Sequence, residues 1–321
     1  MLDKTKEDAA IDEAAIREEV RAIKDREGLS WQHIADESGV KHGTLTPFMG
    51  NTYRGDTGRV AADLQRWLET RREREHTAAV LPDVPSFIMT PTAQDVLSTL
   101  SFAQSAPDFG VIVGGAGIGK TTAIEHYARR NSNVWFLTAD PSMEKAANVL
   151  SILAEELGVS ERRNAFISRA ISARVRGANG LVIVDEAQHL EAKAFDQLRT
   201  TVLDLGKCGI AVAGNESMLA RLQGSADKRT QAFAQLHSRV GIRKMQHASK
   251  AADICLLLDA WGISDDDVKT LLKSIARKPG ALRIMNKVIR LATMVSAAGS
   301  PSSISRKDVN TAWSQLSSVE I

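Results

Sequence analysis

Eight residues limit the possible folds of this chain more than any other stretch: Gly114-Gly115-Ala116-Gly117-Ile118-Gly119-Lys120-Thr121, directly after the apolar run FGVIV and directly before a stretch with helical spacing. The string satisfies G-x-x-x-x-G-K-[ST] between a strand and a helix, the context in which such a loop cradles phosphates. Glycines let backbone N–H groups wrap an anion without interference from Cβ atoms, and the helix that follows points its positive end at the same charge. The loop through Thr122 is therefore the predicted nucleotide cradle. Lys120 is placed to reach the β- and γ-phosphates, and the Thr121 hydroxyl to ligate Mg²⁺.

A second run, LVIVDE at 181–186, follows about 65 residues later. Four apolar residues make a buried strand, and Asp185 at its end is placed to hold the Mg²⁺ water shell. Glu186, beside that metal, is the candidate general base: it can orient and deprotonate an attacking water, so hydrolysis rather than binding alone rests on it. A guanine-reading N-K-x-D motif is missing, since the nearest string, Asn286-Lys287-Val288-Ile289, lacks the aspartate. ATP with Mg²⁺ is the expected ligand.

Around these motifs, apolar β-prone runs (FGVIVG, VWFLTA, LVIVDE, GIAVAG) alternate with helical stretches at 121–130, 144–157 and 192–205. That alternation implies parallel strands with crossover helices, an α/β core over 91–245. In front, residues 1–75 read as an all-α unit. A helix at 13–27 stops at Gly28, Ser30 caps a short helix broken by Gly39, KHGTLTPFM follows, and a last helix spans about 59–75. Helix, glycine turn and short helix make a helix-turn-helix pattern. Residues 76–90, with two prolines and no periodicity, read as a linker. Amphipathic helices at about 248–260, 265–277, 281–296 and 305–317 make 246–321 a small helical domain.

Charge is distributed unevenly. The chain carries a formal +2 overall, yet residues 223–321 hold 15 basic and 8 acidic side chains while residues 1–75 hold 13 and 16. Lys269, Lys273, Arg277, Lys278, Lys287 and Arg290 form a basic run in the C-terminal helices, a candidate duplex-DNA surface that meets phosphates rather than bases. Lys269, Lys273 and Arg277 are spaced by four and share a helical face. Trp261 and Trp313 read as core. In the front unit, Lys41, His42, Thr44 and Thr46 lie on the would-be recognition helix, but Pro47 truncates it and the unit is acidic. Its role stays open between docking on protein and grazing DNA backbone. The acidic N-terminus and the lack of an apolar run near 20 residues predict a cytoplasmic protein with no membrane partner, and Cys208 and Cys255 read as reduced core thiols.

The order of phosphate loop, DEAQHL, GIAVAG ending at Asn215, an Arg in LHSRVGIR and Gly280-Ala-Leu-Arg283 resembles the AAA+ ATPases. Within them, the DEAQHL string, the helical domain in front and the short lid behind resemble the DNA transposition protein B family of Mu-like phages. That resemblance implies an AAA+ core with a helical lid. It also gives Asn215 the role of first sensor of the γ-phosphate, Arg239 that of a finger inserted into a neighbouring subunit's site, and Arg283 that of second sensor. Arg243 is the other candidate finger. It further implies a helical filament or ring on duplex DNA with little sequence preference, recruitment and stimulation of a transposase, and release of DNA on ATP hydrolysis. Rival readings are a replication initiator or helicase loader, a secretion-associated ATPase without its membrane segment, and a nucleotide-switched regulator.

Overall fold

The computed structural model describes residues 12–218, 240–297 and 304–317. The chain divides into two compact units, Met1–Pro82 and Asp83–Ile321.

The front unit holds α1 (Glu13–Glu27), α2 (Trp31–Ser38), α3 (His42–Met49) and α4 (Thr57–Val80). Capping sets these boundaries. Asp12 accepts the first free N–H groups of α1, Ser30 accepts His33 N–H at the start of α2, and Gly28 and Gly39 close the two helices in the left-handed conformation. Ile16, Val20, Ile34, Leu45, Phe48, Leu64 and Trp67 bury together as its core. Arg71 binds Glu27 and Glu37 at the same time, and Arg72 binds Glu19, so ion pairs tie α4 to both α1 and α2. Pro47 lies inside α3, which ends two residues later. α4 continues to Val80, five residues into the stretch read from sequence as a linker.

The second unit is built on a parallel sheet of order β2-β3-β4-β1-β5 among the described residues. Its strands are β1 (Phe109–Gly114), β2 (Val134–Thr138), β3 (Leu181–Asp185), β4 (Gly209–Gly214) and β5 (Val240–Gln246). β1, β3 and β4 are buried throughout, as expected of central strands covered on both faces. One face packs α5 (Pro91–Ser105) and α6 (Lys120–Arg130) against Ile112, Ile183 and Ala211. The other packs α7 (Ala146–Glu156), α8 (Asn164–Val175) and α9 (Ala192–Leu198) against Val111, Val113, Val182 and Val212. A π-helical segment, Arg199–Leu205, extends α9, with Arg199 clamped between Asp196 and Asp204. Three elements exceed the expectation from sequence: α5, α8 and the edge strand β5. β5 pairs with β1, and its exposed residues alternate with half-buried ones.

Beyond β5, α10 (Ala251–Ala260), α11 (Asp266–Ile275), α12 (Ala281–Ala297) and α13 (Arg306–Ser317) pack around Leu258, Leu272, Met285, Val288 and Val309. Trp261 and Trp313 pack at the rim of this cluster. Cys208 is buried, Cys255 is half-buried, and both thiols are free. No helix among the described residues is long and apolar enough to cross a membrane.

Candidate active site

The loop from Gly114 to Gly119 joins the C-terminal end of β1 to the first turn of α6. Its glycines are required for two different reasons. Gly117 and Gly119 have φ of +79° and +98°, a region that L side chains rarely adopt. Gly115 and Gly117 also lie so close to neighbouring backbone that a Cβ would collide, on Gly115 with the His247 carbonyl and on Gly117 with the Gly280 carbonyl. The loop thus fits against the end of β5 on one side and the helical lid on the other. Ile118 is buried and seats its side chain over Gly114.

Lys120 donates from Nζ to the carbonyls of Gly114 (2.8 Å) and Gly115 (2.9 Å). Burial lowers its ammonium below the ordinary lysine range, Asp185 and Glu186 pull it back up, and Arg283 pushes it down. A desolvated cation held by carbonyls at the mouth of a glycine loop is suited to an anion. The Thr121 hydroxyl donates to Asp185 Oδ2 at 2.6 Å, and the Glu186 N–H donates to Asp185 Oδ1 at 2.8 Å. Asp185 is 1% exposed, and burial raises its carboxyl above the usual range despite those two hydrogen bonds.

A buried carboxylate touching a hydroxyl, both hard oxygen donors, fits Mg²⁺. Among the described residues no cluster of three or more His, Cys, Asp or Glu could cage a metal.

A cavity of about 320 Å³ opens over the loop, lined by Ala116 to Thr122 and closed in by Glu186, Asn215 and Arg283. Glu186 adopts φ 50°, ψ 32°, left-handed for a non-glycine residue. Asn215 is exposed at the end of β4, and its Oδ1 accepts from the N–H (2.9 Å) and hydroxyl (2.6 Å) of Ser217. Arg283 enters from the start of α12, just after Gly280, whose carbonyl abuts Gly117. The structure therefore brings Lys120, Thr121, Glu186, Asn215 and Arg283 around one space, with buried Asp185 joined to it through the Thr121 hydroxyl. Arg239 lies outside the described residues, and Arg243 is exposed on β5.

The far end of the cavity was not legible in the sequence. Val84 to Ile88, read there as linker, lies in the second unit and lines the cavity together with Leu257, Leu282 and Asn286. Phe87 stacks on His126 of α6, with ring centroids 3.7 Å apart and planes 16° from parallel. Trp261 Nε1–H donates to Asn286 Oδ1 at 2.8 Å and fixes that amide. This end is largely apolar, with one amide fixed in place. The signal was the Thr90-Pro91 pair, a helix cap followed by its first residue: Thr90 Oγ1 accepts Ala93 N–H at 3.1 Å and opens α5.

Of the basic run, Lys269 and Lys273 lie on α11, Arg277 and Lys278 just after it, and Lys287 and Arg290 on α12. Arg277, Lys278 and Lys287 are exposed and the other three half-buried, and among the described residues none of the six forms an ion pair. Lys278 is partly engaged, its ammonium 4.6 Å from the centre of the Trp313 ring. Arg290 Nε is buried with no hydrogen-bond partner among the described residues.

Comparison with known proteins agrees with this geometry. Residues 103–222 match the family described as AAA domain, and residues 238–316 match the family described as Mu B transposition protein, C terminal. The chain is 38% identical over 283 residues to the ATP-dependent target DNA activator B of Escherichia phage Mu, covering 88% of each chain. It is 34% identical over 257 residues to the Mu-like prophage FluMu DNA transposition protein B of Haemophilus influenzae, covering 79% of this chain and 88% of that one. Among solved structures, the Aeropyrum pernix ORC2 protein matches with a TM-score of 0.56 at 18% identity, covering 74% of this chain and 71% of that one. The Aeropyrum pernix ORC1 protein in complex with DNA matches with a TM-score of 0.52 at 16% identity, covering 75% and 69%. At those identities the likeness is one of fold, an AAA+ core with a helical lid, whereas the relatives above decide the family: the chain belongs to the Mu B transposition proteins.

Proposed function

We propose that this protein is an ATPase that activates target DNA for transposition, assembling with ATP on duplex DNA and leaving it on hydrolysis. One observation carries the reading: under a single lid, the cavity gathers a phosphate loop, Glu186, and two polar groups from separate elements, with Asp185 bonded to the loop's Thr121, in a chain 38% identical to an ATP-dependent target DNA activator.

In this reading the loop amides and Lys120 bind the β- and γ-phosphates, while the apolar end between Phe87 and Leu282 receives the base. Thr121 and Asp185 would hold Mg²⁺, which when bound neutralises phosphate charge. Glu186 orients a water toward the γ-phosphate and accepts its proton, and Asn215 contacts the water or the terminal phosphate. Arg283 ties the lid to the terminal phosphate, and Arg239 or Arg243 of a neighbouring copy completes the site. A finger of this kind contributes roughly 10³ to 10⁵ in rate, so hydrolysis would be coupled to assembly. The basic run on α11, the turn after it and α12 meets duplex phosphates without reading bases, and the assembled form recruits and stimulates the transposase.

Electron microscopy of the purified protein with random-sequence duplex, with and without ATP, tests this. Regular assemblies on DNA only with ATP are the expected outcome. DNA binding indifferent to nucleotide, or confined to one operator sequence, would overturn the reading.

A further inference from the structure

The DEAQHL string places a glutamine two residues after Glu186, and neither the triphosphate cradle nor the metal ligands account for it. Gln188 is half-buried and stands outside the cavity, on a one-turn helix (Ala187–His189) behind the site. Its side chain is used at both ends. Nε2–H donates to Glu186 Oε2, and Oε1 accepts the backbone N–H of Asn215 at 3.3 Å. The chemistry fixes the amide orientation, because a carboxylate oxygen can only accept and a backbone N–H can only donate.

Space for this bridge has been cleared. A Cβ on Gly214, the last residue of β4, would stand 2.7 Å from Gln188 Oε1 and 3.1 Å from Met218 Sδ. Glu186 needs an external hold, since its left-handed backbone is a conformation that a non-glycine residue keeps only when its surroundings impose it. The bridge also spans two elements that approach the terminal phosphate from different sides. It joins the end of β3, where Glu186 sits, to the end of β4, where the Asn215 side chain is itself held by Ser217.

We infer that Gln188 is a positioning residue for hydrolysis. It fixes the Glu186 carboxylate relative to Asn215, so that the base and the γ-phosphate sensor form one rigid unit. The inference rests on the reading that Glu186 activates the attacking water. Gln188 does not line the cavity, so its loss acts on turnover and leaves ATP affinity alone. Because a misplacement of about 1 Å can cost about 10²-fold in rate, releasing the carboxylate is expected to lower kcat by about 10-fold or more.

The test uses the full-length protein with Gln188→Met, which keeps the shape and removes both hydrogen bonds, and Gln188→Glu, which keeps the acceptor for Asn215 N–H and loses the donor to Glu186. ATP affinity by titration, kcat on saturating duplex DNA and the thermal unfolding midpoint are measured for each, alone and combined with Glu186→Gln. The expected result is a drop of about 10-fold or more in kcat for both variants, at least as deep for Glu as for Met, with ATP affinity unchanged within about twofold. On the Glu186→Gln background the same substitutions are expected to make no further difference, because Gln188 acts through Glu186. Should the Met side chain fail to fold, the Glu variant alone decides. Wild-type kcat in a folded variant, a loss expressed in ATP affinity, or an equal further loss on the Glu186→Gln background would each overturn the inference. Undiminished turnover by Glu186→Gln itself would instead sink the catalytic reading on which it rests.

Discussion

Asp253 is fully buried in the first turn of lid helix α10, and its carboxylate fastens that helix to the first turn of α5. Oδ1 accepts Thr92 N–H at 3.0 Å, and Oδ2 accepts Lys250 N–H at 3.0 Å and the Thr92 hydroxyl. Gln246 Nε2, at the end of β5, donates in turn to Thr92 Oγ1 at 2.5 Å. The segment leading into α5 lines the base end of the cavity and the lid carries Arg283, so this one carboxylate ties the two walls together. Asp253→Ala would strand two backbone N–H groups and one hydroxyl. At about 1–3 kcal/mol for each buried donor left without a partner, and allowing for water entering the space, the cost is about 3–5 kcal/mol. For a unit of this size that corresponds to a fall of about 10 °C in Tm. Asp253→Asn, which keeps the shape and loses one acceptor, is expected to cost about half as much. Urea unfolding followed on the second unit, together with ATP titration, measures both effects. The expected result is a lower midpoint at an unchanged m-value, with ATP bound at least several-fold more weakly. A cost below about 1 kcal/mol with wild-type ATP affinity would refute the reasoning, because it would mean the stranded donors are satisfied elsewhere.

Other expectations follow from the same geometry. Glu186→Gln should bind ATP but stall hydrolysis, leaving DNA-bound assemblies that persist, as seen by microscopy after excess duplex competitor is added. Gly117→Ala, which combines a left-handed φ with a collision at the Gly280 carbonyl, should push the lid away from the loop, weaken ATP binding and leave the front unit's helical content unchanged by circular dichroism. Replacing Lys269, Lys273 and Lys287 together by Ala should flatten the dependence of log affinity for random duplex on log salt by roughly 0.9 for each phosphate that is no longer neutralised, measured by fluorescence anisotropy. Burial pushes the Cys208 thiol up to about 11, so at pH 8 a maleimide should label half-buried Cys255 in the native protein and reach Cys208 only after unfolding.

What the sequence disclosed, and what it hid, follows from how local each signal is. The phosphate loop and the acidic strand end are contiguous strings whose chemistry demands particular residues, and both stand where their flanking elements predict. The first two front helices were bounded closely, because Gly28, Ser30 and Gly39 act within a turn of the helix ends they set. Other elements were obscured by composition. α5, with its Thr, Ser and Gln residues, carries little apolar periodicity, and β5 (VGIRKMQ) puts polar side chains on both faces of an edge strand, which hides its alternation. Non-local pairings gave no sign at all. The Asp253 carboxylate meets Thr92 across 161 positions, and Phe87 finds His126 only once the segment after Pro82 folds onto α6. Arg239, assigned as the finger through family resemblance, lies outside the described residues, and Arg243 sits exposed on β5.

Every step of the proposed cycle requires that the loop at 114–121 grip a triphosphate and that Lys120 supply the decisive charge. Titration calorimetry of magnesium-ATP into the wild-type protein and into Lys120→Ala, each in the presence of random-sequence duplex, measures this directly. Saturable binding by the wild type and none by the variant is the predicted result. Equal affinity in the two proteins, or no binding by the wild type at any protein concentration, would contradict it.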